Sequence, residues 1–401
     1  MDMSKLAFKA GSLHPNRAGI LDDTGPSSSL QVFRQWPEIS SNHHQHKLPQ
    51  TRIDSSTVGA LNLRSVKQSP DPSTETALFW HIPKSGGTTA KQLYQCMGKT
   101  LTIRIGVDPR YGHDQKNELV VFKPLGGQDW KTINVDTVSE KGILRAEEMG
   151  LAASGKADII FAMDVNFASG HLFDRINKGR VLAIFRHPVD RLTSKFYYLQ
   201  TATWERTYRP EWADMSVLEW AEKHNHDENF LVKKIVGKKL TEKAGMADLI
   251  IAKEIVRRRF IVGLLDEMEE SVHRFNVMLG VDESDEKAKE CMSEVFGTSK
   301  DESDKSEGQG DEGDEGDEKE SAVEINTNSN KHPKIVEGMP EYKVLAESNS
   351  LDMILYEYIR LLFEEQKSVI NRYAKEARVE RARKSLRRNA KRKRQLSSQT
   401  S

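Results

Sequence analysis

A strand, a glycine turn and the start of a helix follow one another within residues 77–89, and this order restricts the fold more than any other feature of the chain. The apolar and aromatic run before Pro83 predicts a buried strand. Gly86 and Gly87 have no Cβ, so the backbone of the turn can approach a ligand closely. Thr88 begins a stretch of good helix formers, and the free N–H groups at a helix N-terminus favour an anion. The stretch therefore predicts a phosphate-binding turn.

Further apolar segments predict strands that alternate with helices. The predicted strands cover residues 101–107, 118–125, 158–162, 181–185 and 260–265. Helical patterns cover residues 211–257, 267–279 and 351–395, and Pro188 suits the first turn of another helix. Alternation of this kind is typical of a parallel sheet. The sequence therefore predicts the α/β class.

The charges of the chain are distributed unevenly, although 60 Lys and Arg residues balance 60 Asp and Glu residues. Residues 1–74 are polar and lack periodicity, which predicts a disordered leader. An acidic, low-complexity stretch at about 282–330 predicts a disordered insert within a domain of residues 75–375. Residues 376–401 form a basic tail that suits a polyanion, or that is simply a solvated helix end.

Lys84 and Arg186 each follow a predicted strand, and ligands of parallel sheets lie at the carboxyl ends of strands. The two cations are therefore expected to face one ligand. The turn is not a Walker A loop, because that motif places its lysine after the last glycine, whereas Lys84 precedes Gly86. A P-loop nucleotide kinase or NTPase is kept as an alternative function.

Two motifs carry a resemblance to a known family. The segment His81-Ile82-Pro83-Lys84-Ser85-Gly86-Gly87-Thr88-Thr89 resembles the 5′-phosphosulfate loop of sulfotransferases that use 3′-phosphoadenosine 5′-phosphosulfate (PAPS). The segment 185–197, Phe-Arg-His-Pro-Val-Asp-Arg-Leu-Thr-Ser-Lys-Phe-Tyr, resembles the 3′-phosphate-binding segment of the same family. The resemblance implies a P-loop-like three-layer sandwich, with a central parallel sheet flanked by helices.

The resemblance is greatest to the carbohydrate branch, which includes heparan and chondroitin sulfotransferases. Residues 169–171, Ser-Gly-His, resemble a segment that supplies the catalytic base in the 2-O-sulfotransferase group. Residues 260–271 and 351–358 resemble later segments of that group. In all, the resemblance covers about residues 75–280 and 335–370.

The resemblance and the chemistry of sulfuryl transfer together imply a role for each candidate residue. Lys84 would stabilise charge on the leaving phosphate, and His171 is the candidate base for the acceptor hydroxyl. Arg186 and Ser194 would bind the 3′-phosphate. The backbone and hydroxyl groups that would hold the 5′-phosphate belong to Ser85, Gly86, Gly87, Thr88 and Thr89. No metal is expected.

The sequence thus predicts a PAPS-dependent sulfotransferase that acts by in-line displacement on a hydroxyl, in particular that of a glycan. A non-catalytic interaction protein on the same fold is a second alternative. The basic tail is expected to contact polyanions, and no specific nucleic acid is expected.

The compartment is less constrained by the sequence. The resemblance implies a Golgi enzyme on the lumenal side of the membrane. No run of about 18 apolar residues and no secretory signal occurs in this chain, so a soluble, cytoplasmic protein is the alternative. The two cysteines, Cys96 and Cys291, allow one disulfide.

Overall fold

A mostly parallel sheet runs through the protein, and the strand before the glycine turn is one of its inner strands. The computed structural model describes residues 59–399 except 125–129, 204, 206, 224–226 and 298–331. The strands of this part are β1 Glu75–Trp80, β2 Thr100–Thr102, β3 Val121–Phe122, β4 Lys131–Ile133, β5 Ile159–Ala162, β6 Lys178–Phe185 and β7 Phe260–Leu264. They pair in the order β3-β4-β2-β5-β1-β6-β7, and only β3 is antiparallel to its neighbour.

Helices connect the strands and continue the chain after β7. The α-helices are α1 Gly87–Cys96, α2 Glu140–Glu148, α3 Val165–His171, α4 Pro188–Thr201, α5 Val217–Lys223, α6 Phe230–Ile235, α7 Met246–Arg259, α8 Met268–Leu279, α9 Glu286–Phe296, α10 Pro340–Ser348 and α11 Ser350–Gln399. Short 3₁₀ turns lie at Arg104–Val107, Pro109–Tyr111, Pro210–Trp212 and Leu265–Glu267.

Strand β1 is buried on both faces, as expected for an inner strand of a parallel sheet. Leu78 and Trp80 point to the face covered by α6, α7 and the first half of α11. Phe79 points to the opposite face, where it stacks on Phe161 at 4.6 Å and packs with α1 and α8. The protein is therefore α/β, with a mostly parallel central sheet flanked by helices, and the sequence prediction of this class is confirmed.

Several element boundaries differ from the sequence prediction. Strand β4 and helices α2 and α3 were not predicted, and the predicted helical region 211–257 divides into the separate helices α5, α6 and α7. The predicted strand 101–107 ends early, because the chain turns into a 3₁₀ helix at Arg104. Gly106 lies in this turn, where an added Cβ would be 2.0 Å from the Ile133 carbonyl oxygen.

The folded domain also extends into segments that were assigned to disorder. Leu63 is buried and forms a parallel β-bridge with Gly179 of β6, so the domain begins before residue 75. Helix α9 lies within the predicted insert, yet its Ala288, Cys291 and Val295 form one buried face. Cys291 is joined to Cys96 at the end of α1 by a disulfide. Residues 1–58 and 298–331 lie outside the described residues, so the rest of the leader and insert is not addressed.

Helix α11 continues as far as Gln399 and includes most of the predicted basic tail. Among the described residues, no helix combines the length and the apolar character that a membrane span requires.

Candidate functional site

The loop between β1 and α1, defined as the Lys84 loop (residues 81–86), lies at the carboxyl end of the inner strand β1. Lys84 has φ 63° and Gly86 has φ 78°, so both occupy the left-handed region. This conformation is ordinary for glycine but uncommon for lysine, and such residues often mark functional loops. The neighbouring parallel strands end at the same edge of the sheet, which makes this edge the candidate site.

The N-terminus of α1 offers several unused donors. Gly86 is the N-cap residue and makes no side-chain cap, and the Ala90 N–H donates to the Gly86 carbonyl at 3.1 Å. Within the described chain, the N–H groups from Gly86 to Thr89 have no backbone acceptor. The Ser85 hydroxyl is buried and also lacks a hydrogen-bond partner there. These donors could be satisfied together by one anion.

Gly86, with its positive φ, and Gly87, the first residue of α1, both leave little room for a side chain. A Cβ on Gly87 would be 2.1 Å from Cδ2 of His81, and a Cβ on Gly86 would be 2.8 Å from Cδ1 of Leu265. Burial, with a smaller contribution from Lys91, lowers the pKa of His81 to about 4. His81 is therefore neutral near pH 7 and supports the loop by packing rather than by charge.

Arg186 joins the second predicted motif to the first. Strands β1 and β6 are neighbours, with Trp80 paired to Ala183, so Arg186 emerges beside the Lys84 loop. Its Nη1 donates to the Lys84 carbonyl at 3.1 Å. Burial lowers the pKa of Arg186, whereas Asp190 and Asp266 act in the opposite direction. The two sequence motifs therefore form one cationic site.

The Lys84 ammonium group lies over an aromatic ring of α4. Its Nζ is 4.2 Å from the centroid of the Tyr198 ring, and the Tyr198 hydroxyl donates to Oε1 of Glu205 at 2.8 Å. Burial and then Arg186 lower the pKa of Lys84, whereas Glu205 raises it. The lysine is thus held between an aromatic face, a second cation and one carboxylate.

Ser194 lies on the face of α4 that is directed to this site. Asp190, Ser194 and Tyr198 are spaced four residues apart and therefore share one side of the helix. Asp190 acts electrostatically on Arg186, and Tyr198 contacts Lys84. Ser194, which is almost fully buried, lies between these two contacts along the helix. The structure therefore brings Lys84 and Arg186 together and places Ser194 on the side of α4 that faces them.

His171, the predicted base, is not brought to this site. Asp164 caps the start of α3 just after β5, and the helix then carries His171 roughly 10 Å away from that strand end. Its Nδ1 lies 2.8 Å from Oε2 of Glu147, and its ring packs on Phe167. The position of His171 gives no support to a role as base beside Lys84.

Four residues of the site were not predicted from the sequence: Tyr198 and Glu205 near Lys84, and Asp190 and Asp266 near Arg186. Tyr198 carried a usable signal, because it lies four residues after Ser194 on a predicted helix. Glu205 carried none, since its place beside Lys84 depends on the loop that follows α4. Within the described residues, no group of three or more His, Cys, Asp or Glu side chains could hold a metal ion.

Comparisons with known proteins do not assign the chain to a family. No protein-family model matches the chain, and a search of curated proteins also finds no match.

Proposed function

We propose that this protein is a PAPS-dependent sulfotransferase that transfers a sulfuryl group to a hydroxyl of a carbohydrate. The observation that carries the proposal is the hydrogen bond from Arg186 to the Lys84 carbonyl. It joins the two motifs that resemble the 5′- and 3′-phosphate segments of that family. A donor with two separate phosphate groups requires two cationic positions on one edge of the sheet, and these residues supply them.

The strand order is compatible with the P-loop-like identity that the resemblance implies. The chain goes from β1 outward to β2, β3 and β4, returns to β5 beside β1, and then crosses to β6 and β7 on the other side of β1. The crossover creates a switch point at the carboxyl end of β1, where nucleotides bind in doubly wound sheets. The Lys84 loop follows this strand end directly. The topology therefore supports a nucleotide donor.

The residues of the site suit the charges of PAPS. The N–H groups from Gly86 to Thr89 and the Ser85 hydroxyl would receive the 5′-phosphate, and Arg186 with Ser194 would receive the 3′-phosphate. Bound PAPS would supply the sulfuryl group. Lys84 would neutralise the negative charge that grows on the 5′-phosphate oxygen as the bond to sulfur breaks.

For the acceptor proton we favour Glu205 over His171. Glu205 is a carboxylate at the same edge, and it acts electrostatically on Lys84. As the acceptor oxygen bonds to sulfur, its proton would pass to the Glu205 carboxylate, and Tyr198 would orient that carboxylate through their 2.8 Å hydrogen bond.

An oxidising compartment is part of the proposal. The disulfide between Cys96 and Cys291 is of the kind that persists in secretory compartments and not in the cytosol. This supports a lumenal location, of which the Golgi is the one implied by the sequence resemblance.

The proposal is tested by calorimetric titration of the protein with 3′-phosphoadenosine 5′-phosphate, followed by transfer assays with labelled PAPS and a panel of polysaccharides. We expect the wild-type protein to bind the nucleotide without magnesium. Lys84→Ala should lower the transfer rate about 10²- to 10³-fold, because it removes charge stabilisation at the leaving oxygen. Lys289→Ala, which removes an exposed lysine of α9, is the matched control.

Three outcomes separate the alternatives. Folded wild-type protein that fails to bind the nucleotide contradicts the proposal. Magnesium-dependent ATP turnover would indicate a kinase or NTPase instead. Nucleotide binding without transfer to any acceptor would indicate a non-catalytic protein.

A further inference from the structure

Helix α11 loses its buried face after Tyr373. Up to residue 390, Tyr373 is the last buried residue of the helix, and its hydroxyl donates to the Val66 carbonyl at 3.1 Å. Every residue from Ala382 to Ala390 is exposed. Residues 372–394 are called the basic arm below.

The basic arm has a large excess of positive charge. Its only acidic residues are Glu376 and Glu380. Its twelve basic residues are Arg372, Lys375, Arg378, Arg381, Arg383, Lys384, Arg387, Arg388, Lys391, Arg392, Lys393 and Arg394. Blocks of like charge repel one another and favour an external counter-charge.

Few of these charges are neutralised within the domain. Arg381 pairs with Asp282 of the domain at 2.9 Å. The two i,i+4 pairs within the arm, Arg372 with Glu376 and Lys384 with Glu380, are loose, at 3.9 Å. Arg383, Arg387 and Arg388 form no ion pair with any residue that the structure describes. The exposed part of the arm is therefore a row of available cations.

We propose that the basic arm is a binding surface for a linear acidic polysaccharide. Charge complementarity supplies the attraction, because a polyanion that neutralises several cations releases its condensed counterions. A long helix with cations along its length suits an extended polymer, which can lie along the row of cations.

Two features disfavour other polyanions. Residues 374–399 contain no aromatic side chain on which a base of a single strand could stack, and a disulfide such as Cys96–Cys291 is typical of oxidising compartments and not of the cytosol or nucleus. The large apolar residues among the exposed positions 379–390 are Val379 and Leu386, which are too few to form the apolar face of a membrane-surface helix.

The arm lies far from the Lys84 loop. Tyr356, near the start of α11, contacts the ring of His187 at 5.5 Å between centroids. Arg381 follows 25 positions later on the same helix, which corresponds to roughly 38 Å. The arm is therefore a separate surface, and its binding does not depend on the proposed transfer reaction.

The test measures binding of the full chain to heparin, with uncharged dextran as a comparison, between 50 and 200 mM salt. The arm variant replaces Arg383, Lys384, Arg387 and Arg388 with Gln. A matched control replaces four exposed lysines outside the arm with Gln, namely Lys141, Lys239, Lys243 and Lys289. Circular dichroism and thermal melts confirm that both variants keep the fold.

We expect heparin affinity to fall about tenfold or more across this salt range, by analogy with other polyanions. The arm variant should lose at least about tenfold in affinity at 100 mM salt, and the control should stay within about twofold. Equal affinity of the arm variant and the wild type would overturn the proposal. Tighter binding of duplex DNA, or of vesicles with 30% anionic lipid, than of heparin at the same salt would overturn the choice of partner.

Discussion

Lys84 adopts a backbone conformation that is costly for any residue with a Cβ, so the surrounding structure must impose it. The Arg186 hydrogen bond to its carbonyl and the contact of its ammonium group with Tyr198 restrain both ends of the residue. This arrangement fixes the direction of the lysine before any ligand binds. Prior positioning of charge is what stabilises a transition state without reorganisation.

The close approach of Gly87 to the His81 ring predicts that a side chain at this position lowers stability. Gly87→Ala should destabilise the protein by about 1–3 kcal/mol, because the new Cβ would overlap the His81 ring and force the start of α1 to move. Urea denaturation measures this change. Gly170→Ala in α3 is the control, since a Cβ there meets nothing within 4 Å and should be neutral or stabilising. Equal stability of the two variants would contradict the assigned role of Gly87.

Helices α6 and α11 cap each other at their N-termini. Asp352, in the first turn of α11, accepts the N–H groups of Leu231 and Val232 in α6. Asn229, the N-cap of α6, accepts the N–H groups of Leu351 and Asp352. Each helix thus supplies the acceptors that the start of the other lacks, so the two are expected to form and unfold together.

The buried Asp352 predicts a pH-dependent stability. Burial raises its pKa to about 6, whereas the two N–H bonds and the nearby Arg191 oppose the rise and Asp227 adds to it. Between about pH 4 and pH 6 the folded state therefore binds more protons than the unfolded state at this group. The contribution of Asp352 to the free energy of unfolding should therefore decrease as pH rises from about 4 to about 6, by at most about 1.4 kcal/mol per pH unit.

Denaturation of wild type and Asp352→Asn from pH 4 to pH 7 measures this effect. The stability difference between them should change across the window and level off above about pH 6. Asp214→Asn, at an exposed site, is the control for the substitution itself. A difference between Asp352→Asn and wild type that stays constant from pH 4 to pH 7 would show that the Asp352 carboxyl does not titrate in the window.

For the whole molecule, the Cys96–Cys291 disulfide connects elements that are 195 residues apart in sequence. It ties the end of α1, which carries the Lys84 loop at its start, to α9. In the chain-entropy model, closing a loop of this length restricts the unfolded chain and stabilises the folded state by about 5 kcal/mol. Measured losses of stability on removing a native disulfide are typically about 2–5 kcal/mol. Reduction should therefore lower the melting temperature by several degrees.

Thermal melts with and without dithiothreitol measure this loss. The double variant Cys96→Ser, Cys291→Ser should melt at the temperature of the reduced wild type and should no longer respond to the reductant. A wild-type melting temperature that reductant leaves unchanged would contradict a stabilising role for the disulfide.

The α/β class and the proximity of Lys84 to Arg186 could be predicted from the sequence, because residues that directly follow parallel strands lie at the same edge of the sheet. The position of His171 could not be predicted, since it depends on the length and direction of α3. Prediction also failed for α9, whose three buried residues are separated by charged ones that dominate the composition. Glu205 depended on a loop fold that local patterns do not encode.

The position of β1 has a consequence for synthesis on the ribosome. Among the strands that the structure describes, β1 is synthesised first, yet its partners are β5 and β6, and Ile159 of β5 follows its partner Ala77 by about 80 residues. At roughly 5–20 residues per second, the apolar segment therefore has no neighbouring strand for roughly 4–16 s. Nascent chains that have not yet reached β5 would expose an unpaired apolar strand, and they are the species that a chaperone has most reason to bind.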